Sequence, residues 1–187
     1  LEPSYWDPFR RFFTTTLELA GGAVTLRVTQ GRIAADLTQP AAPLPYDPDY
    51  RGPGVPGAPL TVRADRDLTV AERGQAKAAL ARILRLDESA DRIAAFHTID
   101  PRFAACGRGR LMRSGSLFED IIKTVTSCNV TWPSTVSMNR KLCRVFGRKS
   151  ASGGYAFPSA AKLARARPAA LRARCSVGYR DARIVEL

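Results

Sequence analysis

Histidine is almost missing from this chain: His97 is the single one among 187 residues. The four cysteines, Cys106, Cys128, Cys143 and Cys175, stand too far apart for a Cys-x-x-Cys knuckle, so no metal site is expected. No cofactor is implied. With no second histidine or cysteine pair near it, His97 reads as a helix-end or packed residue and not as a catalytic base. No apolar run approaches the roughly 18 residues that a membrane span requires, so no membrane partner is expected. The start, LEPSYWDPFRRFF, has no basic segment followed by an apolar core and a cleavage site, so it is not a secretory signal. Reduced thiols are therefore expected, in the cytoplasm or nucleoid of a bacterium or the nucleus of a eukaryote. The first residue is not methionine, which points to a fragment or a processed end.

Acidic residues are scarce too, but only in the second half. Residues 1–100 hold 12 Lys and Arg against 13 Asp and Glu, a net of −1, whereas residues 101–187 hold 17 against 4, a net of +13. All of the net charge of +12 thus belongs to the second half. Such a field favours a polyanion through counterion release, and nucleic acid is the natural partner.

The first half alternates in the manner of strands. Leu17 and Leu19, then Val24, Leu26 and Val28, then Ile33, Ala35 and Leu37, keep a period of two with glycine-bearing turns between them. From Pro40 to Pro59 seven prolines and three glycines exclude a ladder, so a long loop is predicted. Leu60, Val62 and Ala64 form a further strand. Thr69 and Glu72 make a capping box for a helix whose stripe is Ala76, Ala79, Leu80, Ile83 and Leu84. The fold class is α+β: an antiparallel sheet unit over residues 1–86, then an all-α unit over 87–187. Predicted helices are Asp87–Phe96, Ser116–Cys128, Pro133–Phe146, Ser159–Ala166 and Pro168–Cys175.

The stretch RSGSLFEDIIKTVTSCNVTW, from Arg113 to Trp132, organises the second half. Ser116 with Glu119 reads as a capping box, and Phe118, Ile121, Ile122 and Val125 as a core-facing stripe that excludes Glu119, Asp120 and Lys123. Trp132-Pro133 starts the next helix, leaving Asn129 at a helix-to-helix corner. Asn there also suits a left-handed C-cap. Further on come Phe157-Pro158-Ser159 before a short helix and Gly178-Tyr179-Arg180 at the start of the last one.

An antiparallel sheet with one helix, a segment at Gly109, the FEDIIKT helix ending in Asn, an FPS helix and a GYR turn occur here in order. Together they resemble the helix-hairpin-helix DNA glycosylases, the superfamily of 8-oxoguanine DNA glycosylase and 3-methyladenine DNA glycosylase II. Those enzymes take the damaged nucleotide out of the stack. The resemblance implies that Asn129 enters the vacated space, that Tyr179 wedges beside the estranged base, and that Arg180 donates hydrogen bonds to it. It implies a monomer acting on double-stranded DNA that contains a damaged purine.

The chain also departs from the family's pattern. No glycine-rich hairpin, catalytic Lys or catalytic Asp follows the GYR turn, so no catalytic residue is assigned and an all-α unit cut short before the helix-hairpin-helix is expected. Val130 and Thr131 replace asparagines of the 8-oxoguanine enzymes, which leaves oxidised and alkylated purines both open. A non-catalytic duplex-binding module and an unrelated α+β enzyme are the alternatives.

Overall fold

A computed structural model describes residues 1–7, 9–10, 12–30, 59–104 and 109–187. Four strands, β1 (Ser4–Asp7), β2 (Phe12–Leu19), β3 (Gly22–Gln30) and β4 (Leu60–Ala64), form one antiparallel sheet in the order β1-β2-β3-β4. β2 and β3 are rich in Thr, Val and Leu, residues that suit a pleated, half-buried surface. Leu17 pairs with Val24 and Leu19 with Gly22, so the hairpin turns through Ala20 and Gly21. The expected strand at Ile33–Leu37 and nearly all of the proline-rich stretch lie outside the described residues. β1 was not expected from sequence: it is only four residues long, and pairing of Tyr5 with Thr14 and of Trp6 with Phe13 makes it a strand.

Helix α1 (Val70–Ile83) lies across the sheet and closes a core of Phe13, Leu17, Val24, Leu26, Val28, Leu80 and Ile83. Its capping box is complete: Thr69 Oγ1 accepts the Glu72 amide at 3.2 Å and the Glu72 carboxylate accepts the Thr69 amide at 3.0 Å. Glu72 does more than cap. Its Oε1 also accepts the Gly21 amide at 3.1 Å and Arg66 Nη2 at 2.6 Å, so one carboxylate ties the β2–β3 turn to α1.

Six further helices follow: α2 (Ala90–Ile99), α3 (Leu117–Ser127), α4 (Trp132–Phe146), α5 (Ala160–Ala164), α6 (Pro168–Cys175) and α7 (Asp181–Glu186). The last three are too short to persist alone. They are held by a second core of Ile122, Met138, Leu142, Leu163, Leu171, Val177 and Ile184, where each fully buried aliphatic side chain contributes about 1.5–3 kcal/mol. Cys143 and Cys175 lie in the same core as free thiols, and burial pushes Cys175 up to about 11 and Cys143 higher still, so both stay protonated. Cys128 is free and exposed, and Cys106 lies outside the described residues. No described helix is long and apolar enough to cross a membrane.

Polar groups join the two cores. Asp65 accepts the amides of Thr25 at 3.0 Å and Ser152 at 2.9 Å, while Thr25 Oγ1 meets Ser150 Oγ at 2.7 Å. Arg82 on α1 pairs with Asp120 on α3 at 2.6 Å. Lys149 and Tyr155 form an isolated antiparallel bridge, and at Gly154 beside it a Cβ would collide with the hydroxyls of Thr16 and Thr25, so only glycine lets this segment approach the sheet.

Arg66, and then the Thr69 amide, hold the Glu72 carboxyl near 2, below its ordinary value of 4.5. A depressed carboxyl stabilises the fold above its unfolded value, and that contribution is lost as pH falls through the folded one. Denaturant unfolding of the native chain should therefore lose stability as pH drops from about 4.5 to about 2. Glu72→Gln should weaken the fold at neutral pH and flatten this acid limb. An unchanged limb in the variant would show that the linkage belongs to other groups.

Candidate nucleic-acid interface

Helix α3 begins at Ser116, whose Oγ accepts the Glu119 amide at 3.1 Å. Glu119, however, reaches back to the Gly115 amide at 3.2 Å instead of Ser116, so the expected box is half formed. The buried face of α3 also differs from the expected stripe. Ile122 and Thr126 are fully buried, but so is Glu119, at 4% exposure, while Ile121 is 38% exposed. Lys123 Nζ binds Glu119 Oε1 at 2.5 Å and lies 5.8 Å from the Phe157 ring, which places Lys123 too on the packed side. An ion pair with a backbone amide on the carboxylate lets charged groups occupy positions that periodicity assigns to solvent. Burial still outweighs Lys123 and raises the Glu119 carboxyl above its usual range.

The far end of α3 is clamped to α4 by an internal polar cluster. Asn139, fully buried on α4, donates to Thr126 Oγ1 at 2.8 Å and to the Thr135 carbonyl at 2.9 Å. Thr135 Oγ1 donates to the Thr126 carbonyl at 3.3 Å. The chain then leaves the helix through Cys128 into Asn129, which adopts a left-handed φ of 53° and stands exposed at the corner. Asparagine tolerates this conformation better than most residues.

Tyr179 and Arg180 sit in the 3-10 turn Gly178–Arg180, entered through Ser176 and Gly178 at φ of 58° and 60°. Tyr179 is 69% exposed. Arg180 is placed differently from what the resemblance implies. It is 6% exposed, and its guanidinium donates inward: Nε to the Val125 carbonyl at 3.1 Å, Nη1 to the Val177 carbonyl at 3.4 Å, and Nη2 to the Cys128 carbonyl. The last turn of a helix leaves carbonyls without partners at the negative end of its dipole, and a five-donor cation satisfies them. Arg180 also stacks against Tyr179, its Cζ 4.4 Å from the ring centroid. One buried arginine thus ties the turn that carries Tyr179 to Cys128, the residue before Asn129.

Three of the four acids after residue 100 are engaged: Glu119 by Lys123, Asp120 by Arg82, and Asp181 by Arg172 at 2.9 Å, which holds the Asp181 carboxyl low. Arg144, Lys162, Arg165, Arg167 and Arg174 have no carboxylate partner among the described residues. His97 packs its ring against Phe96. Among the described residues no group of three His, Cys, Asp or Glu side chains is arranged to hold a metal ion.

Neither a family model nor a curated protein matches this sequence. Solved structures do. The 3-methyladenine DNA glycosylase of Archaeoglobus fulgidus aligns over 98% of this chain with a TM-score of 0.65 and 21% identity. The fold is a DNA glycosylase fold. MBOgg1 bound to a low-affinity DNA ligand aligns over 97% of this chain with a TM-score of 0.58 and 13% identity. The Clostridium acetobutylicum 8-oxoguanine glycosylase/lyase, bound to double-stranded DNA with cytosine opposite 8-oxoguanine, gives 97%, 0.58 and 15%. The chain spans 57%, 52% and 52% of those three proteins. Within this fold Arg180 links the corner between α3 and α4, where Asn129 is exposed, to the turn before α7, where Tyr179 is exposed.

Sequence reasoning singled out Asn129 and Tyr179 but did not see the buried groups beside the corner, Thr126 and Asn139. Thr126 and Asn139 look like ordinary helix residues, and only their burial reveals the clamp. Asn139→Ala should cost about 1–3 kcal/mol, because both Thr126 and Thr135 lose a buried donor. Equilibrium unfolding checks this, and a change under 0.5 kcal/mol, about that of an ordinary surface substitution, would remove the clamp from the account.

Proposed function

We propose that this chain is a DNA-repair protein of the base-excision class, a DNA N-glycosylase in fold that binds duplex DNA and opens it at a damaged purine. The observation that carries this reading is one buried guanidinium that stacks on exposed Tyr179 and binds the Cys128 carbonyl, next in the chain to exposed Asn129. An extruded nucleotide leaves a gap and an estranged partner. Asn129 offers both a donor and an acceptor to that gap, and Tyr179 offers a flat wedge with a polar tip. Arg180 acts as their positioning residue. The unpartnered arginines of the helical half supply the phosphate attraction.

A duplex-binding module without chemistry is the second reading, and one observation favours it. Lys123 is tied to Glu119 and Asp181 to Arg172, so neither is offered as a nucleophile or as a carboxylate facing a sugar. Both readings require DNA binding, and both place it at the same corner.

The full chain should bind duplex DNA with log affinity falling linearly in log salt, by a slope of about 0.9 per phosphate contacted. Salt-independent or absent binding would overturn the reading. Asn129→Gly keeps the left-handed backbone without strain and removes only the side chain. It and Tyr179→Ala should lower the preference for an abasic-site duplex over an intact one by roughly tenfold, the scale of one lost stacking or base contact, with Tm unchanged. An equal loss on both duplexes would make the two residues plain phosphate contacts. Product release from a lesion-bearing duplex would separate a glycosylase from a binding module.

A further inference from the structure

Arg27 on β3 and Arg63 on β4 stand directly opposite each other in the sheet, and both are exposed. The chain neighbours of Arg27, Leu26 and Val28, are buried in the core under α1, so the two arginines project from the other face of the sheet. Like charges opposed across a ladder repel, and no described carboxylate neutralises this pair. Every other described arginine of residues 1–100 has an acceptor: Arg10, Arg66, Arg82, Arg85 and Arg92 a carboxylate, and Arg73 the Leu68 carbonyl. The arginines without one are those that stand opposite each other. We propose that Arg27 and Arg63 form a binding site for a terminal phosphate group, either free phosphate or the phosphomonoester of a nucleotide or strand end. The site lies outside the α3–α4 corner and does not rest on the DNA-repair reading.

Geometry favours that ligand. Directly opposed residues of an antiparallel pair have Cβ atoms about 4.5–5.5 Å apart, close enough for two guanidiniums to hold one phosphate between them. Each guanidinium fork matches two phosphate oxygens at once. Arg27 is already oriented, its Cζ 4.4 Å from the Phe12 ring centroid, a contact that uses the flat of the group and leaves its N–H edge for a ligand. Thr14 stands opposite Arg27 on β2, and Thr61 two places before Arg63 on β4. Neither hydroxyl has a hydrogen-bond partner among the described residues, so both can donate to an oxyanion.

Charge agrees. Bordering carboxylates are engaged elsewhere: Asp65 accepts the Thr25 and Ser152 amides, and Asp7 on β1 accepts those of Phe9 and Arg10. Two cations without a counter-charge match the charge of about −1.5 to −2 on a phosphomonoester at neutral pH better than the single charge of a diester. Residues 1–100 carry 12 Lys and Arg against 13 Asp and Glu, so the attraction comes from this pair and not from a general field.

Thermal unfolding of the full chain is followed as inorganic phosphate or a nucleoside 5′-monophosphate replaces chloride at constant ionic strength, with dimethyl phosphate as the singly charged control. Tm should rise with phosphate and with the nucleotide, and not with dimethyl phosphate. Arg27→Gln and Arg63→Gln should each weaken binding roughly 10- to 100-fold, the loss of one charge-assisted contact. Arg63→Gln removes one of two repelling charges, so in chloride its Tm should be no lower than that of the native chain. A single-stranded oligonucleotide with a 5′-phosphate, set against its 5′-hydroxyl twin, separates the sources. Preference for the phosphorylated strand, erased by Arg63→Gln, assigns the site to a strand end; twins that bind alike, with the Tm rise intact, assign it to a free phosphate compound. No rise with either phosphate, a rise matched by dimethyl phosphate, or one that persists in Arg63→Gln would overturn the proposal, whatever DNA does at the corner.

Discussion

The candidate site depends on the Arg180 guanidinium at the end of α3. A helix end exposes carbonyl groups that must find donors or water, and a cation is favoured there by the helix dipole. Here both needs are met by one side chain from a turn more than fifty residues away, at Val125 and Cys128. Its Nη1 also returns to Val177 in its own turn, so hydrogen bonds to both segments add to the packing of Val125 and Val177 in the second core. Tyr179 and Asn129 are exposed because the group beneath them absorbs the backbone's hydrogen-bonding demand. Without it the GYR turn and the corner would be two loops with independent positions.

The same economy recurs at the sheet. Glu72 satisfies the start of α1, the Gly21 amide in the β2–β3 turn and Arg66 at once. Asp65 joins Thr25 on β3 to Ser152 among the helices. In each case a buried or half-buried charged group is tolerated because its remaining lone pairs or protons are used. Of these links, Asp65 is the one that ties the sheet to the helical residues.

Likeness to the glycosylases is carried by backbone arrangement at 13–21% identity, a level at which fold persists while sites diverge. The chain-specific features are therefore the informative ones. Trp132 and the half-buried Lys123 give this corner its own chemistry, an aromatic floor beside a neutralised charge pair. The positive balance of residues 101–187 suits a backbone-tracking contact that leaves sequence unread.

Sequence by itself determined the α+β class, the division of charge between the halves, the helix starts at Thr69 and Ser116 and, to within one residue, at Pro133, and the corner at Asn129. These are local matters of capping chemistry, proline geometry and hydrophobic period, and neighbouring residues suffice to decide them. It did not disclose β1, whose four residues become a strand only by pairing with β2. Nor did it disclose the burial of Glu119 and Lys123, because periodicity assigns charges to solvent and cannot see the partner that lets them stay inside. The inward turn of Arg180 and the cleft that Trp6 and Trp132 both line were likewise beyond it. Both join residues far apart in the chain, and what brings them together is the packing of short helices and a polar seam, which only the tertiary structure decides.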